Sequence, residues 1–334
     1  MKITVFAPKP YWFNEGQPKV LKEHNKRMDL EIYCTDPTGK ECGNYKNVHV
    51  YKSYTNAYLF CPKLFCCKKT DKILAHGYTT FLSLIALFKC KELYFMPHYH
   101  PIGSSPLFKL FRTIYDPTIG KLLFNKSKKI FCVSEFEKKE IVSKFQINPK
   151  KIIVIYNGID LNKFNNSHPY FVNKKIILYV GRFEKYKNIQ LLMKAMKYLP
   201  DYELKIIGSG PYLSELKKIL IPQIEIIKNL SDSEVARWYK TCSVFVTLSD
   251  IEAFGLTVVE ALASGKPVVV NDATSLSEFA DKYNCVKKIK VHKQNSIELA
   301  KLIEQTSKIK IKNVDLSDYN WDKICKEIES EVVE

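Results

Sequence analysis

The residues from Val244 to Val270 constrain the fold more than any other stretch. They read as an apolar strand, Val244 to Leu248, then a loop, a helix opening near Gly255 and ending by Gly265, and a second buried strand, Val268 to Val270. Lys266 and Pro267 break the helix before that strand. The same alternation runs through the chain. Strands are expected at Lys2–Ala7, Leu30–Cys34, Val48–Tyr51, Lys72–Ala75, Leu93–Met96, Ile130–Val133 and Ile152–Ile155. They are expected again at Lys175–Val180, Glu203–Ile207, Ile224–Ile227, Val244–Leu248, Pro267–Val270 and Cys285–Ile289. Helical patterns lie between them, the longest at Pro106–Asn125. Such alternation predicts parallel sheets with helices on both faces, an α/β protein.

At 334 residues the chain suits two domains. The polar, turn-rich run between Asn157 and Asn173 is the expected seam. It divides the chain into a domain over residues 1–160 and a second over 161–318, each doubly wound and Rossmann-like, facing each other across a cleft.

The formal net charge is +17, from 52 Lys and Arg against 35 Asp and Glu. Such a balance admits nucleic acid, an anionic membrane face or phosphorylated substrates as partners. The only arginines are Arg27, Arg112, Arg182 and Arg237. Arginine supplies the forked contacts of nucleic-acid readers, so a lysine-dominated surface argues against nucleic acid. The ten cysteines form no C-x-x-C pair and no zinc-like spacing. They read as small buried hydrophobes of a reducing compartment. Met1-Lys2 leads straight into a strand, and the most apolar helix candidate, Tyr78 to Phe88, is too short to span a bilayer. The expected location is therefore cytoplasmic. The Tyr45–Lys69 stretch interleaves aromatic residues with lysines, which makes the inner face of an anionic membrane a candidate peripheral surface.

The chemistry-bearing residues fall at strand ends. Glu252 sits in the loop after one strand, and Glu260 lies about one and a half turns into the helix that follows. Ligands of open α/β sheets bind at the carboxyl edge, and helix N-termini there favour anions. Arg182 and Lys187 follow the strand that ends at Val180, with Gly181 allowing a tight turn; two cations beside a helix N-terminus can hold a diphosphate. Gly208 to Pro211 follows another strand, but no third glycine completes a dinucleotide fingerprint. There is no D-x-D motif to suggest a metal site.

The run E-A-F-G-L-T-V-V-E-A-L-A-S-G-K-P-V from Glu252 resembles the signature of the retaining glycosyltransferases of family 4. In that family E-x7-E lies within E-x-F-G-L-x-x-x-E-A-x-A-x-G-x-P-V. Gly181-Arg182 with Lys187-Asn188 resembles the family's G-R-x(n)-K-G, with Asn188 in place of glycine. Ile207 to Pro211 resembles its G-x-G-P turn, Ser134-Glu135 its S-E segment and Asn157-Gly158-Ile159-Asp160 its P-N-G-x-D segment, with Tyr156 in place of proline.

The resemblance implies a GT-B fold, whose last helix, about 319–334, packs back on the first domain, and transfer from a nucleoside diphosphate sugar, UDP- or GDP-linked, to a glycan, lipid-linked or small-molecule acceptor with retention of configuration. It implies that Glu260 holds the ribose, Glu252 faces the donor sugar, and Arg182 and Lys187 take the diphosphate without a metal. By the same resemblance Gly208, Phe254, Gly255, Leu256 and Asn229, which stands at another usual glycine, line the nucleotide. Gly16 stands for the family's Gly-Gly loop after the first strand. His98, with His100 as the alternative, is the cleft histidine. No feature of the sequence sets the sugar, the base or the oligomeric state. A sugar-nucleotide 2-epimerase of the same architecture and a catalytically silent glycan- or membrane-binding protein are the rival readings. Release of nucleotide from a sugar nucleotide distinguishes an enzyme from the silent protein.

Overall fold

The computed structural model describes residues 2–8, 16–36, 47–53, 61–101, 106–291 and 295–333. The chain forms two compact units, Met1–Gly158 with Trp321–Glu334, and Ile159–Asn320.

The first unit carries a parallel sheet of seven strands: β1 (Ile3–Ala7), β2 (Leu30–Asp36), β3 (Val48–Lys52), β4 (Thr70–His76), β5 (Cys90–Met96), β6 (Ser127–Cys132) and β7 (Ile152–Val154). Their order is β3-β2-β1-β4-β5-β6-β7, so connections run one way from β1 and the other way from β4. Its helices are α1 (Gly16–Arg27), α2 (Phe81–Lys89), α3 (Pro106–Tyr115), α4 (Lys121–Lys126) and α5 (Glu135–Phe145). Successive strand residues face opposite sides. Phe6, Ile73, Phe95 and Cys132 thus enter one buried cluster, while Val5, Leu74, Tyr94 and Phe131 enter another. Both faces are covered, which is why the strands read as unbroken apolar runs.

The helix expected over Pro106–Asn125 is interrupted. A π segment, Asp116–Gly120, separates α3 from α4. Pro117 has no N–H to donate to the turn before it, and the ladder widens there. The buried Asp116 carboxylate is held by Arg112 Nη2 at 3.1 Å, Tyr78 Oη at 2.8 Å and Lys144.

The second unit carries a parallel sheet of six strands: β8 (Lys175–Val180), β9 (Tyr202–Ile207), β10 (Ile224–Ile227), β11 (Val244–Thr247), β12 (Val268–Asn271) and β13 (Val286–Ile289). Their order is β10-β9-β8-β11-β12-β13. Around it lie α6 (Leu161–Asn165), α7 (Ile189–Ala195), α8 (Leu213–Lys217), α9 (Asp232–Thr241), α10 (Leu256–Ala263), α11 (Leu276–Lys282) and α12 (Ser296–Ser307). The stretch read as linker contains α6, capped by Asp160, whose Oδ1 accepts the Lys163 N–H at 3.3 Å.

The closing helix, α13 (Trp321–Val333), belongs to the first unit. Its Trp321, Ile324, Cys325, Ile328 and Val332 bury against Val20, Leu21 and Met28. Arg27 Nε donates to Asp322 at 2.7 Å and Lys72 Nζ to the Val332 carbonyl at 2.6 Å. Both sheets are doubly wound and parallel, as the alternation predicts.

Candidate functional site

All six strands of the second unit are parallel, so their carboxyl ends share one edge. The direction of winding reverses between the neighbours β8 and β11. Loops leaving these two strands diverge, and an α/β sheet opens its ligand crevice at such a point. Lys187 follows β8 and Glu252 follows β11, on either side of that reversal. Their side chains meet: Lys187 Nζ donates to Glu252 Oε2 at 2.7 Å, both half-buried. Burial pulls the Lys187 ammonium down, but Glu252 outweighs it and holds the group charged, above its usual range.

The surrounding backbone fixes this pair. Asn188 adopts a left-handed conformation, φ +54°, at the start of α7, and its Nδ2 donates to the Leu248 carbonyl at 2.9 Å. The β8 loop is thereby tied to the end of β11. The Asp250 N–H donates to the Tyr186 carbonyl at 2.8 Å, a second tie between the same loops. Ser275, at the start of α11, donates to the carbonyls of Glu252 and Phe254, both at 3.0 Å. Gly208 is required by close approach, because a Cβ there would sit 1.9 Å from the Gly181 carbonyl oxygen.

Gly255 opens α10 at φ +110°, a conformation that side chains rarely adopt. The Val258 N–H already donates to the Gly255 carbonyl at 2.9 Å, so the amides of Leu256 and Thr257 are the ones placed to meet an anion. Phe254 is different. Its ring is buried against Phe279 and Tyr319, at centroid distances of 5.7 Å and 5.8 Å, and its carbonyl accepts the Ser275 hydroxyl, so it packs the start of α10 in place. Glu260 lies on α10, and its Oε2 accepts the hydroxyl of the fully buried Tyr239 on α9 at 2.9 Å. Arg182 is the most exposed of the charged group, 61% at its side chain, and pairs with Glu184 at 3.0 Å. Asn229, after β10, is also left-handed at φ +56°. Ser231, two residues on, caps α9 in a reciprocal box with Glu234.

The other predicted residues lie in the first unit. His98 follows β5 at φ +49°; its Nε2 is shielded from water and has no hydrogen-bond partner among the described residues. Its ring stacks on His76 at 5.8 Å, and His76 lies 6.1 Å from His24. Burial first, then the neighbouring His76 and His100, pushes His98 down to about 3, so the imidazole is neutral at physiological pH. Gly16 begins α1, while Asn14 and Glu15 beside it lie outside the described residues. In the aromatic and basic stretch, Tyr45, Lys46, Tyr54, Tyr58 and Phe60 also lie outside them. Of the rest, Tyr51 packs against the core and meets Cys67, and Phe65 is exposed.

Residues without an obvious motif hold the histidine loop. Glu137, fully buried on α5, accepts the N–H of Tyr99 at 2.5 Å and of Val133 at 2.7 Å. Arg112 donates to the His100 carbonyl and lies 4.7 Å from the Tyr99 ring. Both residues are ionisable yet buried; Arg112 stands among apolar residues of α3, whereas α5 is charged throughout and its pattern does not single out Glu137.

Among the described residues, no group of three or more His, Cys, Asp or Glu side chains is arranged to hold a metal ion. None of their helices is long and apolar enough to cross a membrane. The cysteines at positions 34, 61, 67, 90, 132, 242, 285 and 325 are free thiols, all but Cys90 buried.

Two doubly wound units, one with a charged pair at its strand-order reversal, match the GT-B class of α/β proteins. Family models agree. Residues 161–321 match Glycosyl transferases group 1 and residues 24–163 match Glycosyltransferase Family 4. An uncharacterised glycosyltransferase of Methanocaldococcus jannaschii is 29% identical over 276 residues, 78% of this chain and 76% of that protein. The alpha-monoglucosyldiacylglycerol synthase of Streptococcus pneumoniae is 30% identical over 305 residues, 76% of this chain and 66% of that one. The fold is shared by Anabaena HepE, solved in complex with UDP, at TM-score 0.75 and 14% identity over 99% of each chain. The chain belongs to the group 1, family 4 glycosyltransferases.

Proposed function

We propose that this glycosyltransferase moves a sugar from a nucleoside diphosphate sugar to an acceptor hydroxyl with retention, without a metal ion. The observation that carries the reading is the Lys187–Glu252 pair, 2.7 Å apart across the reversal of strand order. The pair provides a cation for a departing diphosphate and a carboxylate for a sugar that gains positive character. Arg182 adds a second, exposed cation, and the amides of Leu256 and Thr257 at the start of α10 add uncharged donors. Glu260, whose Oε2 accepts the Tyr239 hydroxyl, takes the ribose hydroxyls in this reading. UDP in the HepE complex supports a nucleotide-linked donor.

In this reading the bond between the anomeric carbon and the diphosphate breaks first. The acceptor oxygen bonds to that carbon from the same face, and its proton passes to the diphosphate oxygen that leaves. His98, neutral and with a free ring nitrogen, orients a sugar hydroxyl. The acceptor is a glycan, a lipid-linked sugar or a small molecule.

The test is a screen of UDP- and GDP-sugars for nucleotide release with and without excess chelator. Release that chelator leaves unchanged is expected. Lys187→Ala and Arg182→Ala should each slow it on the order of a hundredfold, the cost of one lost electrostatic stabiliser. Activity abolished by chelator and restored by magnesium would remove the metal-free mechanism. Normal rates in both cation variants would remove the assignment of the diphosphate site.

A further inference from the structure

Helix α3 is apolar on the side that faces water. Its inner face is accounted for: Phe111 and Tyr115 pack into the core and Arg112 is buried. Its outer face carries Leu107, Leu110 and Ile114, spaced three and four residues apart on one side of the helix and 76%, 64% and 70% exposed. A helix that only covers a core presents polar residues outward. Three large aliphatic side chains in one exposed row form a contiguous patch of the sort that marks an interaction surface.

Charge selects the partner. Between Pro106 and Lys126 the charged residues are Lys109, Arg112, Asp116, Lys121 and Lys126. Arg112 and Asp116 are buried and pair with each other at 3.1 Å. The charges left in water are therefore Lys109, Lys121 and Lys126, all positive and all exposed. Leu122, on α4, extends the apolar row and is 42% exposed. Of the other exposed large apolar residues described in this unit, Phe65 and Phe88 lie in elements packed over the same face of the sheet, and Val333 alone lies elsewhere. An aliphatic row flanked by lysines and free of exposed carboxylates fits a surface that is apolar within and anionic outside. A symmetric contact between two copies through this face would set these lysines against each other.

We infer that the outer face of α3, with α4, seats on an anionic lipid bilayer, the aliphatic row entering the acyl boundary and Lys109, Lys121 and Lys126 meeting the headgroups. This deepens the proposed function by setting the acceptor side at a membrane surface, and its test needs no turnover.

The test is flotation of the full chain with vesicles of phosphatidylglycerol and phosphatidylcholine in equal parts, and with pure phosphatidylcholine. Binding to the mixed vesicles is expected to exceed binding to the neutral ones, and to weaken as salt rises from about 0.1 M to about 0.5 M. Lys109→Gln, Lys121→Gln and Lys126→Gln should each lower binding about fivefold. The combined Leu107→Glu, Leu110→Glu, Ile114→Glu variant should stop floating. Its circular dichroism and its nucleotide release should be unchanged, so that loss of binding is separate from loss of the enzyme reading. Equal flotation on both vesicles, no flotation on either, or undiminished flotation of the triple variant overturns the proposal. So does a dimer by light scattering that the triple variant dissociates without any vesicle binding.

Discussion

Lys187 and Glu252 lie 2.7 Å apart, so substituting one changes the field at the other. The two glutamates of the motif should therefore fail differently. Glu252 is engaged with a cation at the strand-order reversal, where the proposed function has charge develop during transfer. Glu252→Gln should lower kcat on the order of a hundredfold with little change in KM. Glu260 is held by Tyr239, and the ribose contact proposed for it would be made equally in ground and transition states. Glu260→Gln should raise the donor KM about tenfold or more, the loss of a charged hydrogen bond, at near-normal kcat. A donor titration on both variants decides the matter, and a reversal of the two patterns would exchange their roles. Motif spacing made both glutamates legible, but not their partners, because Lys187 is 65 residues from Glu252 and Tyr239 is 21 residues from Glu260. Asn188 and Asn229 read in sequence as departures from glycine. Both are left-handed, at φ +54° and +56°, and asparagine tolerates that region better than other residues with a Cβ. The substitution therefore preserves the backbone that the site needs.

At the scale of elements, strands such as β11 and β12 were legible because they are buried on both faces, and the helices because they alternate with the strands along the chain. The break in the helix over 106–125 was less so. Pro117 signalled it, but the buried Arg112–Asp116–Lys144 network that fills it joins residues from two helices and the segment between α3 and α4. Glu137 is a similar case. It is on α5 by pattern, yet its carboxylate receives backbone N–H groups from the loop after β5 and the end of β6. That arrangement fixes the loop carrying His98. Glu137→Gln keeps one acceptor but turns an amide NH2 toward an N–H, leaving a buried donor unmatched at a cost of about 1–3 kcal/mol. The expected result is a lower thermal midpoint together with a lower kcat, while UDP affinity stays near wild type because the second unit is untouched. If UDP affinity falls in step with kcat, Glu137 is not acting through the histidine loop. Restoration of both stability and kcat in Glu137→Asp, with its shorter reach, would argue against the geometric role as well.

At the scale of the molecule, the two units have separate cores and unequal responses to acid. His24, His76 and His98 lie in the first unit and are each pushed down to about 3, first by burial and then by the neighbouring imidazoles, which oppose a second charge in the stack. Unfolded, each returns to 6.5. Between those values the unfolded chain binds protons that the folded one refuses, so the stability they lend is full above 6.5 and is lost as pH falls toward 3. Each group contributes about 1.4 kcal/mol per pH unit to that slope. Glu137 acts in the opposite direction. Burial pushes it up to about 8 against its two backbone N–H bonds, so its contribution is full below its unfolded 4.5 and is lost as pH rises through 8. Three histidines against one carboxyl make the acid limb the steeper. Hydrogen exchange corrected for intrinsic rates, compared at pH 7 and pH 5, should therefore show protection falling first in peptides of α1, β4, β5 and α13, while β8, β9 and β11 keep theirs. His76→Phe, which removes one titrating group from the stack, should flatten the acid limb by about one proton. Equal loss of protection in both sheets, or none in either, would place the acid sensitivity outside the histidine stack.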